Sequence, residues 1–251
     1  MITLPCGATE RPRVTSLDAT LAGKRDPRPL SLWGNGNMEL VGQRFLALAP
    51  HTDDAELGCG GTIARLIETG AEVHVAAFST ADVSLPPGSP SGLLKDEYYA
   101  SMRSIGIPSD RIHLYFYETR RFSYQRQEIL EDLVALRRKV EPEMVFLPSS
   151  FDTHQDHQVI YQEGVRAFLR NASLWGYEAS RNCISFTAQG FFRLELHHLQ
   201  AKWNALQLYR SQFELGRSTF SWDVIQANAR VRGLQVNTEF AEAFEVIRQQ
   251  F

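Results

Sequence analysis

From Arg44 onward, short apolar runs alternate with stretches whose apolar residues recur three and four apart. Residues 45–49, 73–78, 112–116 and 144–147 have the length and residue types of buried strands. Between them, Ile63, Leu66 and Ile67, then residues 98–105, then Ile129, Leu130, Leu133 and Val134, and later Val159 and Ile160 mark helix faces. The order β-α-β-α-β-α-β-α predicts an α/β fold: a Rossmann-like, doubly wound, mostly parallel sheet with helices on both faces. In such sheets ligands bind beyond the carboxyl ends of the strands, so the loops to inspect begin at Pro50, Ser79, Tyr117 and Pro148.

Past Leu174 the pattern changes. Residues 174–178 and 184–187 read as antiparallel edge strands, Leu199, Trp203, Leu206 and Tyr209 set a helix face, and the chain from about Ser221 to its end suggests one or two more helices. This completes a C-terminal β/α extension of a single domain over residues 43–251. Residues 1–42, rich in Pro, Gly, Arg and Asn and without periodicity, read as an irregular extension packed on that domain.

A formal net charge of -3 with no concentrated basic stretch argues against a nucleic-acid partner. No apolar run approaches a membrane span, and the first residues lack the apolar centre of an export signal. Cys6, Cys59 and Cys183 are odd in number and far apart, which fits a reducing, cytoplasmic compartment better than a disulfide framework. The expected partner is a small molecule. A homo-oligomer is left open.

The loop after the first strand reads His51-Thr52-Asp53-Asp54-Ala55-Glu56-Leu57-Gly58-Cys59-Gly60-Gly61, and the loop after the fourth carries Asp152-Thr153-His154-Gln155-Asp156-His157. Singly, either His/Asp pair would be read as a helix cap or hydrogen-bonded turn. Two of them at strand ends that the topology brings together point to one pocket. A catalytic zinc site needs three protein ligands and an open position, which His51, Asp54 and His157 can supply; Fe(II) can occupy the same ligands. Asp53, beside Asp54, is the candidate general base, and His154 the candidate imidazolium that steadies the oxyanion and protonates the leaving amine. Asp156 is expected either to hold His154 in its cationic form or to cap the helix beginning near Gln155. The glycines after Glu56 are expected to let a helix start beneath the metal and leave room for substrate. They do not complete a dinucleotide fingerprint, because Ile63 stands at its last position. Arg120 and Arg121, after the third strand, are candidate contacts to a phosphate or sugar hydroxyl.

The run His51-Thr52-Asp53-Asp54 with Glu56 and the following glycines, together with His154-Gln155-Asp156-His157, resembles the LmbE-like/PIG-L family of zinc N-deacetylases. The resemblance extends from about Arg44 to the C-terminus and includes Lys202, Ser211-Gln212, Arg232-Gly233 and Phe240-Ala241-Glu242-Ala243-Phe244. It implies a Rossmann-like fold and metal-dependent hydrolysis of the acetamide of a glucosamine-type sugar. The roles it implies for His51, Asp54, His157, Asp53 and His154 are those given above. Asp152 and Glu242 join Arg120 and Arg121 as candidate substrate contacts.

Two rival readings remain at this point. His51-Thr52-Asp53 with a distant histidine also fits the facial triad of non-haem Fe(II) oxygenases, and a non-catalytic sugar-binding module could retain the same loops.

Overall fold

The computed structural model describes residues 42–250, so the expected N-terminal extension lies outside the described residues. A seven-stranded sheet runs through the molecule in the order β3-β2-β1-β4-β5-β7-β6. Its strands are β1 (Arg44–His51), β2 (Glu72–Ser79), β3 (Ile112–Leu114), β4 (Met144–Pro148), β5 (Ser173–Tyr177), β6 (Gly190–Leu194) and β7 (Phe240–Arg248). The first five are parallel, and β7 lies antiparallel between β5 and β6.

Helices α1 (Asp54–Glu68), α2 (Leu93–Ile105), α3 (Arg126–Val140) and α4 (Gln155–Phe168) are the crossovers, and α5 (Leu196–Leu206), α6 (Arg210–Glu214) and α7 (Trp222–Leu234) follow β6. The alternation of β1 divides the interior in two. Phe45, Ala47 and Ala49 face the core shared with α1, α2, α5 and α7, whereas Leu46 and Leu48 face the one under α3 and α4. The chain leaves β1 toward β2 and β3 on one side and returns through β4 and β5 on the other. The strand order therefore reverses between β1 and β4, which opens a crevice beyond their carboxyl ends at His51 and Pro148.

Three expectations for the C-terminal part are corrected. The strand expected at residues 174–178 is β5, but it is parallel to β4, because α4 carries the chain back over the sheet before it re-enters. Residues 184–187 form no strand: Ile184 is 93% exposed, and the edge strand is β6 instead. The end of the chain is helix α7 followed by strand β7 rather than helix alone. Phe240, Ala241, Ala243 and Phe244 imitate a helical stripe in spacing, yet they form a central strand buried on both faces.

Candidate active site

The switch point between β1 and β4 fixes where the two histidine-bearing loops meet. β1 ends at His51 and passes through Thr52 and Asp53 into α1, while β4 ends at Pro148 and a short loop leads into α4. Asp53 stands at the N-cap of α1 without making a side-chain cap bond, so its carboxylate is left to the crevice. His154 caps α4: its Nδ1 accepts the backbone N–H of Asp156 at 3.2 Å.

One carboxylate oxygen organises the centre. Asp54 Oδ2 lies 3.1 Å from His51 Nδ1 and 3.2 Å from His157 Nε2, and it accepts the His51 backbone N–H at 2.8 Å. The ligating atoms of His51, Asp54 and His157 all lie within 4.8 Å of one another. Each histidine is held from behind by a second carboxylate. His51 Nε2 is 3.1 Å from Asp156 Oδ2, and His157 Nδ1 is 2.7 Å from Asp152 Oδ2. An imidazole whose far nitrogen is fixed by a carboxylate presents its near nitrogen in one tautomer and one orientation, the usual support of a metal-ligating histidine. Two imidazoles and a carboxylate around an open pocket are also a donor set suited to a divalent ion. On donor type and arrangement, these residues fit zinc or iron.

The charges respond to this crowding. Burial alone would drive the protons off His51 and His157, but Asp156 and Asp54 raise His51 to about 9, and Asp54 and Asp152 raise His157 to about 10. Burial likewise opposes ionisation of Asp54, yet the two histidines hold its carboxylate far below the ordinary range. The cluster of acids therefore demands positive charge at its centre. Asp53 is pushed up to about 6, by burial first and by Asp54 second.

Asp156, expected either to keep His154 cationic or to cap α4, makes neither hydrogen bond: His154 itself caps α4, and Asp156 favours the His154 cation only through its nearby charge. Its carboxylate meets His51 and accepts the backbone N–H groups of Arg120 (2.6 Å) and Phe122 (3.4 Å). To be reached, Arg120 adopts a left-handed backbone with φ of 69°, a strained conformation for a side-chain-bearing residue. His154 is instead lowered to about 4, by burial first and then by His157 and His51.

Neither carboxylate named as a sugar contact is free. Asp152 accepts from His157, from the His154 backbone at 2.8 Å and from Asn182 at 3.4 Å. Glu242 takes four donors: the backbone N–H groups of Gly61 and Thr62, the Thr62 hydroxyl and Lys202 Nζ. Arg121 does not line the pocket; it pairs with Glu118 at 3.4 Å and lies over the Tyr124 ring. Arg120 does line it.

The glycines of the first loop serve close packing more than open space. A Cβ at Gly58 would stand 2.2 Å from the Tyr177 ring and one at Gly61 2.6 Å from Leu194, so α1 can sit on the sheet only without side chains there. Sequence reasoning missed the support beneath. Lys202 donates to the Leu57 carbonyl at 2.8 Å and to Glu242 at 2.7 Å, and Tyr209 bridges the Thr52 carbonyl and Glu56. It also missed Arg181, Arg217 and Asn182, which line the same cavity of about 290 Å³ from loops without periodicity.

Residues 46–168 match the PIG-L family, described as GlcNAc-PI de-N-acetylase, and both histidine-bearing loops lie inside the match. The chain is 30% identical over 173 residues to a protein of Escherichia coli K12 described as the uncharacterized deacetylase YaiS, covering 66% of this chain and 90% of that one. In fold it resembles the N,N′-diacetylchitobiose deacetylase of Pyrococcus horikoshii, with a TM-score of 0.69 at 21% identity over 82% of this chain and 84% of the other. It resembles about as closely the 4-carboxy-2-hydroxymuconate hydratase GalB of Pseudomonas putida KT2440, with a TM-score of 0.67 at 19% identity over 83% and 98% of the two chains. Fold likeness at this distance thus spans two reactions, and the parallel α/β sheet does not favour the all-β barrel that the oxygenase reading requires. The sequence match decides the family: the chain belongs to the PIG-L de-N-acetylases, hydrolases of N-acetyl amide bonds.

Proposed function

We propose that this protein removes the acetyl group from an N-acetylated glucosamine-type sugar, using a divalent ion, zinc in the first instance, held by His51, Asp54 and His157. The observation that carries the reading is the shared Asp54 oxygen between two imidazoles whose far nitrogens are fixed by Asp156 and Asp152. When bound there, the ion would supply a Lewis acid for the attacking water and the acetamide carbonyl. Asp53, uncapped and facing the crevice, takes the proton of that water and returns it to the leaving amine. His154 acts from its other nitrogen. With Nδ1 accepting the Asp156 N–H, a neutral ring carries its proton on Nε2, a hydrogen-bond donor for the oxygen that gains charge on the acetamide. This replaces the imidazolium read from sequence. It leaves Asp53 to shuttle the proton.

Support for the sugar comes from the relatives: the family is described by GlcNAc-PI, and the resembling Pyrococcus protein acts on diacetylchitobiose. The test is acetate release from a panel of N-acetylated sugars by metal-stripped protein with and without added zinc. Release that appears only with metal is expected. Metal-independent release, or none from any N-acetyl sugar while the protein is zinc-loaded, contradicts the proposal.

A further inference from the structure

Asp53 makes no side-chain cap bond, so the direction of its carboxylate is set by its backbone. That backbone stands at φ -102° and ψ -7°, where the helical region shades into the sparsely populated bridge region. Two peptides flank it. The one after Asp53 is fixed from within α1, where the Asp53 carbonyl accepts the Leu57 N–H at 3.1 Å. The one before it is fixed from far along the chain. The Thr52 carbonyl accepts the hydroxyl of Tyr209, and among the described residues no backbone N–H outside the regular elements reaches that carbonyl.

Tyr209 is held firmly enough to act as such a clamp. It stands in the turn between α5 and α6, fully buried, with its ring edge-on to Phe220 and the centroids 6.1 Å apart. Its hydroxyl also lies 2.7 Å from Glu56 Oε1, which Ser101 of α2 reaches as well. A phenol has one hydrogen; directed at Thr52, it leaves the phenol oxygen to accept the hydrogen of a neutral Glu56 carboxyl. Two residues further on, Ser211 gives its backbone N–H and hydroxyl to Glu97 of α2 at 3.0 and 2.6 Å. The turn is thereby pinned to α1 and α2 at once.

We propose that Tyr209 is a positioning residue for the candidate base: through the Thr52 carbonyl its hydroxyl fixes the peptide before Asp53 and so aims the Asp53 carboxylate into the crevice. The inference rests on the deacetylase reading, in which Asp53 takes the proton of the attacking water. Loss of the hydroxyl frees that peptide without emptying the core. Misplacing a catalytic group by about 1 Å can lower a rate about 100-fold.

The test introduces Tyr209→Phe into wild type and into Asp53→Ala, all as zinc-loaded full chains, and reads acetate release and crystal structures. Phe keeps the buried ring, so zinc content and unfolding temperature are expected to stay near those of each parent. With Asp53 present, Tyr209→Phe is expected to lower kcat about 10–100-fold and to leave KM little changed. In Asp53→Ala the same substitution is expected to change the residual kcat little, because a residue that acts through Asp53 has nothing left to act on. Crystals are expected to show the Asp53 carboxylate displaced in Tyr209→Phe while Asp54 and His157 stay in place. Equal fold-losses in the two backgrounds overturn the proposal and leave Tyr209 a support of the fold. An unchanged kcat or an unmoved Asp53 carboxylate overturns it too. A wild-type crystal in which the phenol lies beyond hydrogen-bond reach of the Thr52 carbonyl does so without any variant. Wild-type protein that releases no acetate sinks the deacetylase reading alone, and the displacement of Asp53 then still decides the positioning.

Discussion

Two clusters of buried ionisable side chains lie on either side of the first turns of α1, and they dispose of their charge in opposite ways. Beneath the helix, every polar atom of the Lys202–Glu242 pair is matched: Glu242 receives four donors and Lys202 reaches a carbonyl as well as its partner. Above it, His51 and His157 turn one nitrogen each toward a single oxygen of Asp54, and the arrangement opens into the cavity. The matched network holds α1 against the sheet even though Lys202 and Glu242 also line the cavity. An open one, with its ligands held from behind, is organised for a visitor.

Substitution at either cluster separates their roles. Asp53→Ala is expected to cost about 10²–10⁴-fold in kcat for acetate release while zinc content and unfolding temperature stay near wild type. Loss of metal together with activity would move Asp53 into the ligand set. On the closed side, Glu242→Ala leaves the Lys202 ammonium buried and unpaired, and denaturant unfolding of the metal-free protein should report roughly 3–5 kcal/mol of lost stability. Replacing both residues with apolar ones of similar size should recover much of it. If Glu242→Ala instead spares stability and abolishes zinc binding, the division between the two clusters fails.

Asp152→Asn removes the charge behind His157 and is expected to weaken zinc affinity about 10–100-fold with a smaller change in stability. A pH test concerns Glu56, between the clusters. Burial raises its carboxyl to about 8 against the pull of Ser101 and Tyr209, which hydrogen-bond it at 2.5 and 2.7 Å. A folded-state value above the ordinary one near 4.3 means that stability from the neutral form is complete below that ordinary value and is lost as pH rises through about 8. In metal-free protein, unfolding free energy should fall between these limits, and Glu56→Gln should flatten that fall. An unchanged pH profile in the variant would put the titration elsewhere.

How much of this could be read from sequence follows the same boundary. The parallel half announces itself because each strand is an apolar run, broken only by His74 in β2 and His113 in β3, and each crossover has helical spacing; with the topology came the meeting of His51 and Asp54 with His157. The C-terminal half did not, because β7 is a central strand whose Phe and Ala residues fall at helix-like intervals, and β5 owes its direction to α4 rather than to its own residues. Lys202 and Glu242 stand 40 residues apart, and no local pattern joins them. Arg217 follows a glycine turn without periodicity, so only the fold brings it to the cavity wall. Asp152 and Asp156 were found as residues but misread in their contacts, since which histidine a carboxylate faces is decided by backbone geometry at the N-terminus of α4.

The most direct test is zinc binding by metal-stripped protein, measured by equilibrium dialysis on wild type and on His157→Ala, with X-ray absorption of the bound ion. A single tightly held zinc per wild-type chain, with nitrogen and oxygen ligands, is expected, and its loss in the variant despite a retained fold. Wild-type protein that takes up no stoichiometric metal, or a His157→Ala chain that binds zinc as tightly and in the same coordination, would contradict it.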